Sequence, residues 1–424
     1  MSGVASRELF ERAKRVLAGG VNSPVRAFSP YPFYTERAEG SKMWDVDGNR
    51  YIDYCMGYGP LLFGHAPTFL RQAIADQLEA GWLYGTPTEG EVELAERLCK
   101  YYPSIDVVRL VSTGTEATMG ALRIARGYTQ KSKIIKIEGG FHGAHDAVLV
   151  KAGSGALTHG VPDSLGVPNE FTRNTLQVPF NDAEALSDVL DANRDEVAAL
   201  IIEPVMGNVG PVLPEDGYLE EVRGLTREHD VVLIFDEVIT GFRVGPRSAQ
   251  GLYGVEPDLT TLGKVIGGGL PVGAVGGRTE LMERLAPTGP VYQAGTLSGN
   301  PIATAAGLAT LRALGPQVYR RVEALSARLE AGLRRNLEEL SLPWCLQRVG
   351  SMFCLFFTDR SVRNYDDALS SDTERFADYF RRMLELGIYL PPSQFETFFV
   401  SAAHTEQDID RTIEANRQAL RAAR

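Results

Sequence analysis

The chain has 424 residues, 44% of them hydrophobic and 23% charged. That length allows two or three domains with a sizeable core, and the mixture excludes a disordered chain. The net charge of −11 argues against nucleic acid or an anionic membrane as the main partner, while leaving room for a local basic pocket around an anionic ligand.

The four cysteines, Cys55, Cys99, Cys345 and Cys354, form no CxxC pair and read as reduced thiols of a cytoplasmic protein. The N-terminus is amphipathic, mixes acids with bases and has no apolar h-region, so no signal peptide is expected. No apolar run reaches the length of a bilayer span.

In chain order, residues 6–18 have the pattern of a helix stopped by Gly19-Gly20. The Pro-punctuated segment Val21–Pro32 must be extended or turning. Lys42–Tyr54 alternates around Asp47-Gly48, which predicts a β-hairpin. Tyr54–His65 is Gly-rich and aromatic and predicts a loop. From residue 66, the helical stretches Thr68–Glu79 and Glu89–Tyr101 alternate with β-branched runs. These are Val107–Ser112, Lys133–Glu138, Ala198–Val205, Val231–Asp236, Leu259–Leu262 and Val272–Gly276. Such alternation predicts an α/β fold with a mostly parallel sheet, and runs that are apolar throughout suit strands buried on both faces. Residues 144–172 interrupt the rhythm with Gly and Pro and form a candidate lid. After Pro301 a long helical region places Val318, Val322, Leu325, Leu329, Leu333 and Leu337 on one face. Strand candidates Ser351–Phe357 and Phe398–Ala402 flank a helix, Asp372–Glu385, ended by Gly387. The expected organisation is an N-terminal helix and hairpin segment (1–65), a large α/β domain (66–305) and a C-terminal α+β domain (306–424). No internal repeat is visible.

Two residues stand out chemically. Val231–Asp236 is an apolar run ending in a carboxylate, and an unpaired buried charge is costly. Asp236 is either an acid at the solvent-facing edge of the sheet or a ligand group at the carboxyl end of a strand, where open α/β sheets bind ligands. Lys264, 28 residues on, sits among Leu, Val, Ile and Gly. It is either a solvated surface charge or a desolvated amine with a lowered pKa, able to attack a carbonyl. Ser112–Ala117 (STGTEA) precedes a helix over 117–127. Its small hydroxyl and glycine residues either cap that helix or make an anion site at its N-terminus. Phe141-His142-Gly143 lies at another strand end, where the aromatic either packs or stacks on a flat ring. Taken together, a phosphate site, a ring-stacking position, an acid for a ring nitrogen and an amine for an aldehyde specify pyridoxal 5′-phosphate. His142 and His145 suggest a metal pair, but no third ligand has a suitable spacing, so no metal is expected.

Val231–Gly241 with Lys264, the GTEA turn, Glu203-Pro204 and Gly295–Pro301 (GTLSGNP) resemble the signature of class III, fold-type I aminotransferases. The resemblance covers nearly the whole chain. It implies a large domain with a mostly parallel seven-stranded sheet plus a smaller α+β domain built from the N- and C-terminal segments. Within the class, Val21–Phe28 (VNSPVRAF), Lys151–Gly155 (KAGSG), Gly207–Pro214 (GNVGPVLP), GTLSGNP and Pro392–Glu396 (PSQFE) resemble the glutamate-1-semialdehyde 2,1-aminomutase family. That resemblance implies an intramolecular amino exchange yielding 5-aminolevulinate for tetrapyrrole synthesis, with the cofactor cycling between pyridoxal and pyridoxamine phosphate.

The same resemblance implies residue roles. Lys264 is the cofactor-linked lysine and proton shuttle, and Asp236 pairs with the ring nitrogen. Gly114 and Thr115 hold the phosphate, with Thr296 reaching it from a second subunit. Val238 and Phe141 cover the two ring faces. Asn208 lies near the phenolic oxygen, and His142 and Glu203 complete the cofactor site. Ser23 and Arg26 take the substrate carboxylate, beside Tyr58. Ser154 sits on the lid, and Glu396 approaches the substrate amine or Lys264. A homodimer with its site at the interface follows, as does a substrate handed over by the upstream tRNA-dependent reductase. Three positions depart from the family pattern: Phe141 replaces a tyrosine, Ser112-Thr113 replaces Asn-Ser, and Tyr58 replaces a tryptophan. Rival readings are an ω-aminotransferase with a separate 2-oxo acid acceptor, an amino-acid racemase on the same fold, and a non-catalytic ligand-binding protein.

Overall fold

The computed structural model describes residues 3–150 and 163–423. The chain forms two compact units. One comprises Met1–Thr68, Pro316–Val362 and Asp367–Arg424; the other comprises Phe69–Gly315 and Arg363–Asp366.

The second, larger unit is built on seven strands: β1 (Val107–Val111), β2 (Lys133–Ile137), β3 (Thr175–Val178), β4 (Val197–Ile202), β5 (Val232–Asp236), β6 (Leu259–Gly263) and β7 (Gly273–Gly277). Their order in the sheet is β1-β7-β6-β5-β4-β2-β3. Neighbours from β6 across to β3 are parallel. Strand β7 is antiparallel to both β6 and β1, so β1 points the same way as β6. The carboxyl ends of β1, β2, β4, β5 and β6 therefore share one edge, where α/β sheets place their ligands. Strands β4, β5 and β6 are buried along their whole length, as expected for a sheet covered on both faces. The core on one side joins Ala121, Leu122, Ile124 and Ala125 to Ile134, Ala199, Ile201, Ile234 and Val275.

Strand β3 has no apolar run to announce it. Its Thr175 and Gln177 are nonetheless buried, and the Thr175 hydroxyl donates to the carbonyl of Ala147 at 2.7 Å. The hydroxyl is satisfied internally, so polarity misreports burial here. The helical region after Pro301 is two helices, Pro301–Ala313 and Pro316–Glu339; proline cannot continue the first and instead opens the second. Of the candidate lid, Val148 and Val150 are buried and Asn169–Thr172 is a short helix; residues 151–162 lie outside the described residues.

In the smaller unit the first helix spans Val4–Ala13, shorter than its sequence pattern suggests. Val16 is 81% exposed, so no packing holds another turn, and Gly19 and Gly20 take positive φ. The expected hairpin is present, with Lys42–Asp45 antiparallel to Arg50–Asp53. Gly48 adopts φ 84, while Asp45 accepts from the Asn49 N–H at 2.8 Å and the Tyr51 hydroxyl at 2.9 Å. Helix Pro316–Glu339 buries Val322 and packs Leu325, Leu329, Leu333 and Leu337 into a core with Trp344, Phe353, Phe376, Phe380 and Ile409. Among the described residues no helix is long and apolar enough to cross a membrane.

Candidate active site

At the shared strand edge of the larger unit lies a cavity of ≈ 220 Å³, lined by Thr113, Gly114, Thr115, Thr118, Phe141, His142, Gly143, Glu203, Asn208, Asp236, Val238, Ile239 and Lys264. Nine of the residues singled out from the sequence meet here: Lys264, Asp236, Val238, Gly114, Thr115, Phe141, His142, Asn208 and Glu203.

Asp236 ends β5 and is buried. One carboxylate oxygen accepts from the Val238 N–H and the Thr261 hydroxyl, each at 3.1 Å. The other lies 2.8 Å from Nδ1 of His142. These contacts fix the carboxylate at the wall of the cavity. The adjacent Glu237 points the opposite way, as strand pleating requires. Its carboxyl accepts from the Thr240 hydroxyl at 2.7 Å, from the Ala249 and Gln250 N–H groups at 2.9 and 3.0 Å, and from the Gln250 amide at 3.2 Å. Burial pushes the Glu237 carboxyl up against these bonds. Of the two acids closing the apolar run, Asp236 faces the cavity and Glu237 braces the following turn.

Lys264 follows β6, two strand-ends from β4 and next to that of Asp236. Its backbone has φ 47, a left-handed conformation that disfavours any residue with a Cβ by about 1–2 kcal/mol. Such strain persists only where the surroundings impose it, and it clusters at functional sites. Gly263 before it is needed for close packing: a Cβ there would stand 3.2 Å from Cγ1 of Val238.

The helix Gly114–Thr129 points its N-terminus at the cavity. Capping belongs to Thr113, whose hydroxyl accepts from the Glu116 N–H at 3.1 Å. Gly114 and Thr115 thus line the cavity at the first helical turn, where N–H groups and the helix dipole favour an anion. A Cβ on Gly114 would approach Cγ1 of Val238 to 3.0 Å. The capping reading of STGTEA falls on Thr113, and Gly114 and Thr115 are left at the cavity wall.

Glu203 joins the other wall. Its carboxyl accepts from the Phe141 N–H at 3.1 Å, the Gly207 N–H at 2.9 Å and the Asn208 amide at 3.0 Å. Burial raises its pKa, and the charge of nearby His142 opposes that rise. Glu203 therefore positions Phe141 and Asn208. Phe141 is 51% exposed, which leaves its ring face available to a planar ligand. Nε2 of His142 and Nε2 of His145 are buried without a hydrogen-bond partner. Burial, then the charge of His142, pushes His145 down to about 4, so it is neutral near pH 7. Among the described residues no cluster of His, Cys, Asp or Glu could hold a metal.

This donor set fits pyridoxal 5′-phosphate: a helix N-terminus for the phosphate, Val238 packed on two glycines as one wall, an exposed aromatic as the other, a buried carboxylate for the ring nitrogen and a lysine amine. Thr118 and Thr261 were not signalled by the sequence. Thr261 is the more consequential, and only the register that sets it opposite Asp236 reveals it.

Lys136, on β2 beside the site, is 4% exposed and donates to the Val148 carbonyl at 3.2 Å. Burial pushes its amine down to about 8. Below pH 8 the amine is charged in both states, and the folded state bears the desolvation penalty. Between pH 8 and 10.5 the folded protein sheds a proton that the unfolded chain keeps, so stability rises with pH. Lys136→Met is expected to stabilise the protein by about 1–3 kcal/mol at pH 7. Urea unfolding at several pH values should show that advantage shrinking between pH 8 and 10.5; a pH-independent difference would contradict this account.

Thr296 is exposed and does not line this cavity. Ser154 lies outside the described residues. Ser23, Arg26, Tyr58 and Glu396 belong to the smaller unit. There Ser23 precedes the short 3-10 turn Pro24–Arg26. Arg26 and Tyr58 line a separate cavity of ≈ 450 Å³. The Tyr58 hydroxyl is pushed up by burial first, then by negative charge at Cys55 and Glu396, with Arg26 opposing.

The class-III aminotransferase profile matches residues 25–420. A glutamate-1-semialdehyde 2,1-aminomutase of Archaeoglobus fulgidus is 59% identical over 416 residues, covering 98% of this chain and 99% of that protein. Among solved structures, an omega-transaminase from Sphaerobacter thermophilus superposes with a TM-score of 0.94 at 35% identity, covering 99% and 98% of the two chains. A transaminase with PLP bound gives 0.91 at 33% identity, covering 100% and 98%. Backbone shape is thus shared across the class, while sequence identity is higher to the aminomutase. This chain belongs to the class-III aminotransferase family.

Proposed function

We infer that this chain is a pyridoxal-phosphate-dependent aminomutase that converts glutamate 1-semialdehyde to 5-aminolevulinate by intramolecular amino exchange. The observation that carries this reading is full-length 59% identity to an aminomutase in a chain whose Lys264 and Asp236 line one cavity. Bound there, the cofactor supplies an electron sink and, in its pyridoxamine form, an amino group.

The protein's residues do the rest. Lys264 takes and returns the proton at the substrate carbon that loses or gains nitrogen. Asp236, held by Thr261, Val238 and His142, would keep the ring nitrogen protonated. Gly114 and Thr115 would hold the phosphate. Val238 and Phe141 would enclose the ring, and Asn208, fixed by Glu203, would serve its phenolic oxygen. Phe141 would still stack without the hydroxyl of the family's tyrosine. In the smaller unit, Arg26 and Ser23 bind the substrate carboxylate beside Tyr58, and an arginine can do so bidentately; Glu396 serves the substrate-side amine. Ser154 belongs to a lid that keeps the intermediate from water.

Thr296, exposed on its own subunit, serves the phosphate site of a second copy, which makes the working unit a homodimer. We place the enzyme in the cytoplasm, receiving its reactive aldehyde from a tRNA-dependent reductase.

The decisive assay supplies glutamate 1-semialdehyde and catalytic cofactor, with no 2-oxo acid. Sustained formation of 5-aminolevulinate over many turnovers is expected. A strict requirement for an added amino donor or acceptor in substrate amounts would instead identify an ω-aminotransferase.

A further inference from the structure

The smaller unit contains four consecutive residues with left-handed backbones: Met56 (φ 46), Gly57 (φ 65), Tyr58 (φ 65) and Gly59 (φ 116). Two of them carry side chains, for which this region is unfavourable, so something must hold the turn. Asp53 does so. It is buried, and one of its carboxylate oxygens accepts from the N–H groups of Cys55 at 2.7 Å and Met56 at 3.1 Å. Its other oxygen lies 2.7 Å from Nε2 of His65. The Cys55 carbonyl in turn accepts from the Tyr58 N–H at 2.8 Å.

The turn carries Tyr58 toward the N-terminal segment. Its hydroxyl donates to the Val25 carbonyl at 2.6 Å. Val25 lies inside the 3-10 turn Pro24–Arg26, immediately before Arg26. That turn is exposed along its length, and its own backbone bonds are the Arg26 N–H to the Ser23 carbonyl and the Ala27 N–H to the Pro24 carbonyl, each at 3.0 Å. The Tyr58 hydroxyl adds a side-chain tie from a buried frame to this surface turn. Arg26, Asp53, Cys55, Gly57, Tyr58 and His65 all line the same ≈ 450 Å³ cavity.

We propose that Asp53 and His65 are positioning residues for substrate binding: they hold a strained left-handed turn so that the Tyr58 hydroxyl, through the Val25 carbonyl, fixes the loop that carries Arg26. This rests on the reading of Arg26 as the partner of the substrate carboxylate. A tryptophan at this position, as the family often has, would carry no hydroxyl to make the tie that Tyr58 makes here. Its effect is on the orientation of a carboxylate-binding group. It therefore acts on binding of carboxylate ligands and leaves the proton transfers alone.

The test uses the cofactor-loaded enzyme with Tyr58→Phe, Asp53→Ala and Arg26→Gln. Melting curves select the variants that fold. For each, kcat and KM for glutamate 1-semialdehyde are measured, together with inhibition by 4-aminobutyrate and by propylamine, which lacks the carboxylate. Tyr58→Phe removes one hydroxyl and is expected to raise KM about three- to tenfold with kcat within about twofold. It should weaken 4-aminobutyrate by a similar factor and leave propylamine unchanged. Asp53→Ala, where folded, should repeat that selective pattern; where it does not fold, Tyr58→Phe decides. If Arg26→Gln raises KM but Tyr58→Phe behaves as wild type, the positioning role is wrong and the function assigned to Arg26 stands. If Tyr58→Phe weakens both inhibitors alike, or lowers kcat instead of raising KM, the inference is overturned. If Arg26→Gln itself leaves KM and 4-aminobutyrate unchanged, the carboxylate assignment fails and the inference falls with it.

Discussion

Replacing Lys264 by alanine is expected to lower kcat/KM by about 10⁴-fold or more while leaving the protein folded. Proton transfer by a placed side chain contributes about 10²–10⁴-fold, and the nucleophilic amine that attaches the cofactor is lost as well. The fold should survive because alanine at φ 47 keeps the same left-handed backbone and the same strain. The measurements are 5-aminolevulinate formation and the long-wavelength absorbance of the lysine-bound cofactor, which should vanish together. Added small amines should restore part of the proton transfer. A Lys264→Ala protein that turns over within tenfold of wild type would remove Lys264 from the mechanism.

The second large effect is expected at Asp236. Asparagine keeps an oxygen for the Val238 N–H and the Thr261 hydroxyl but removes the charge. Without it the ring nitrogen is no longer held protonated, and His142 loses its anionic partner at 2.8 Å. Removing one preorganised electrostatic group of this kind lowers kcat by about 10²–10³-fold, and cofactor affinity should fall too. Glu237→Gln is the internal comparison. It leaves the cavity lining intact but disturbs a buried carboxyl that accepts four hydrogen bonds. The expected result is a stability loss of about 1–3 kcal/mol with kcat of the folded fraction retained. Equal kinetic losses in the two variants would mean that the adjacent acids are not divided between chemistry and structure as their hydrogen bonds indicate.

Much of the larger unit was legible from hydrophobic patterning. Six of its seven strands appear as β-branched runs, and the helix Glu89–Tyr101 has the bounds its pattern predicts. β3 was hidden because Thr175 satisfies its hydroxyl on the Ala147 carbonyl, a partner 28 residues away. The first helix read too long because amphipathic spacing says nothing about whether a face is available to cover Val16. The site was legible where a residue's chemistry conflicts with its surroundings: an acid closing an apolar strand, and a lysine among glycines and aliphatics.

The sequence by itself determined most of the elements and which residues carry reactive groups, since both follow from periodicity and from the cost of burying charge. Only the tertiary structure decided which of Asp236 and Glu237 faces the cavity, that Thr261 and His142 hold the first, and that Thr113 caps a helix while Gly114 and Thr115 line the cavity. It also decided that Tyr58 is tied to Val25. These choices depend on strand order, register and side-chain direction. The Asp236 partners Thr261 and His142 stand 25 and 94 residues away, and contacts at that separation are set by packing of the whole unit, which no local pattern encodes.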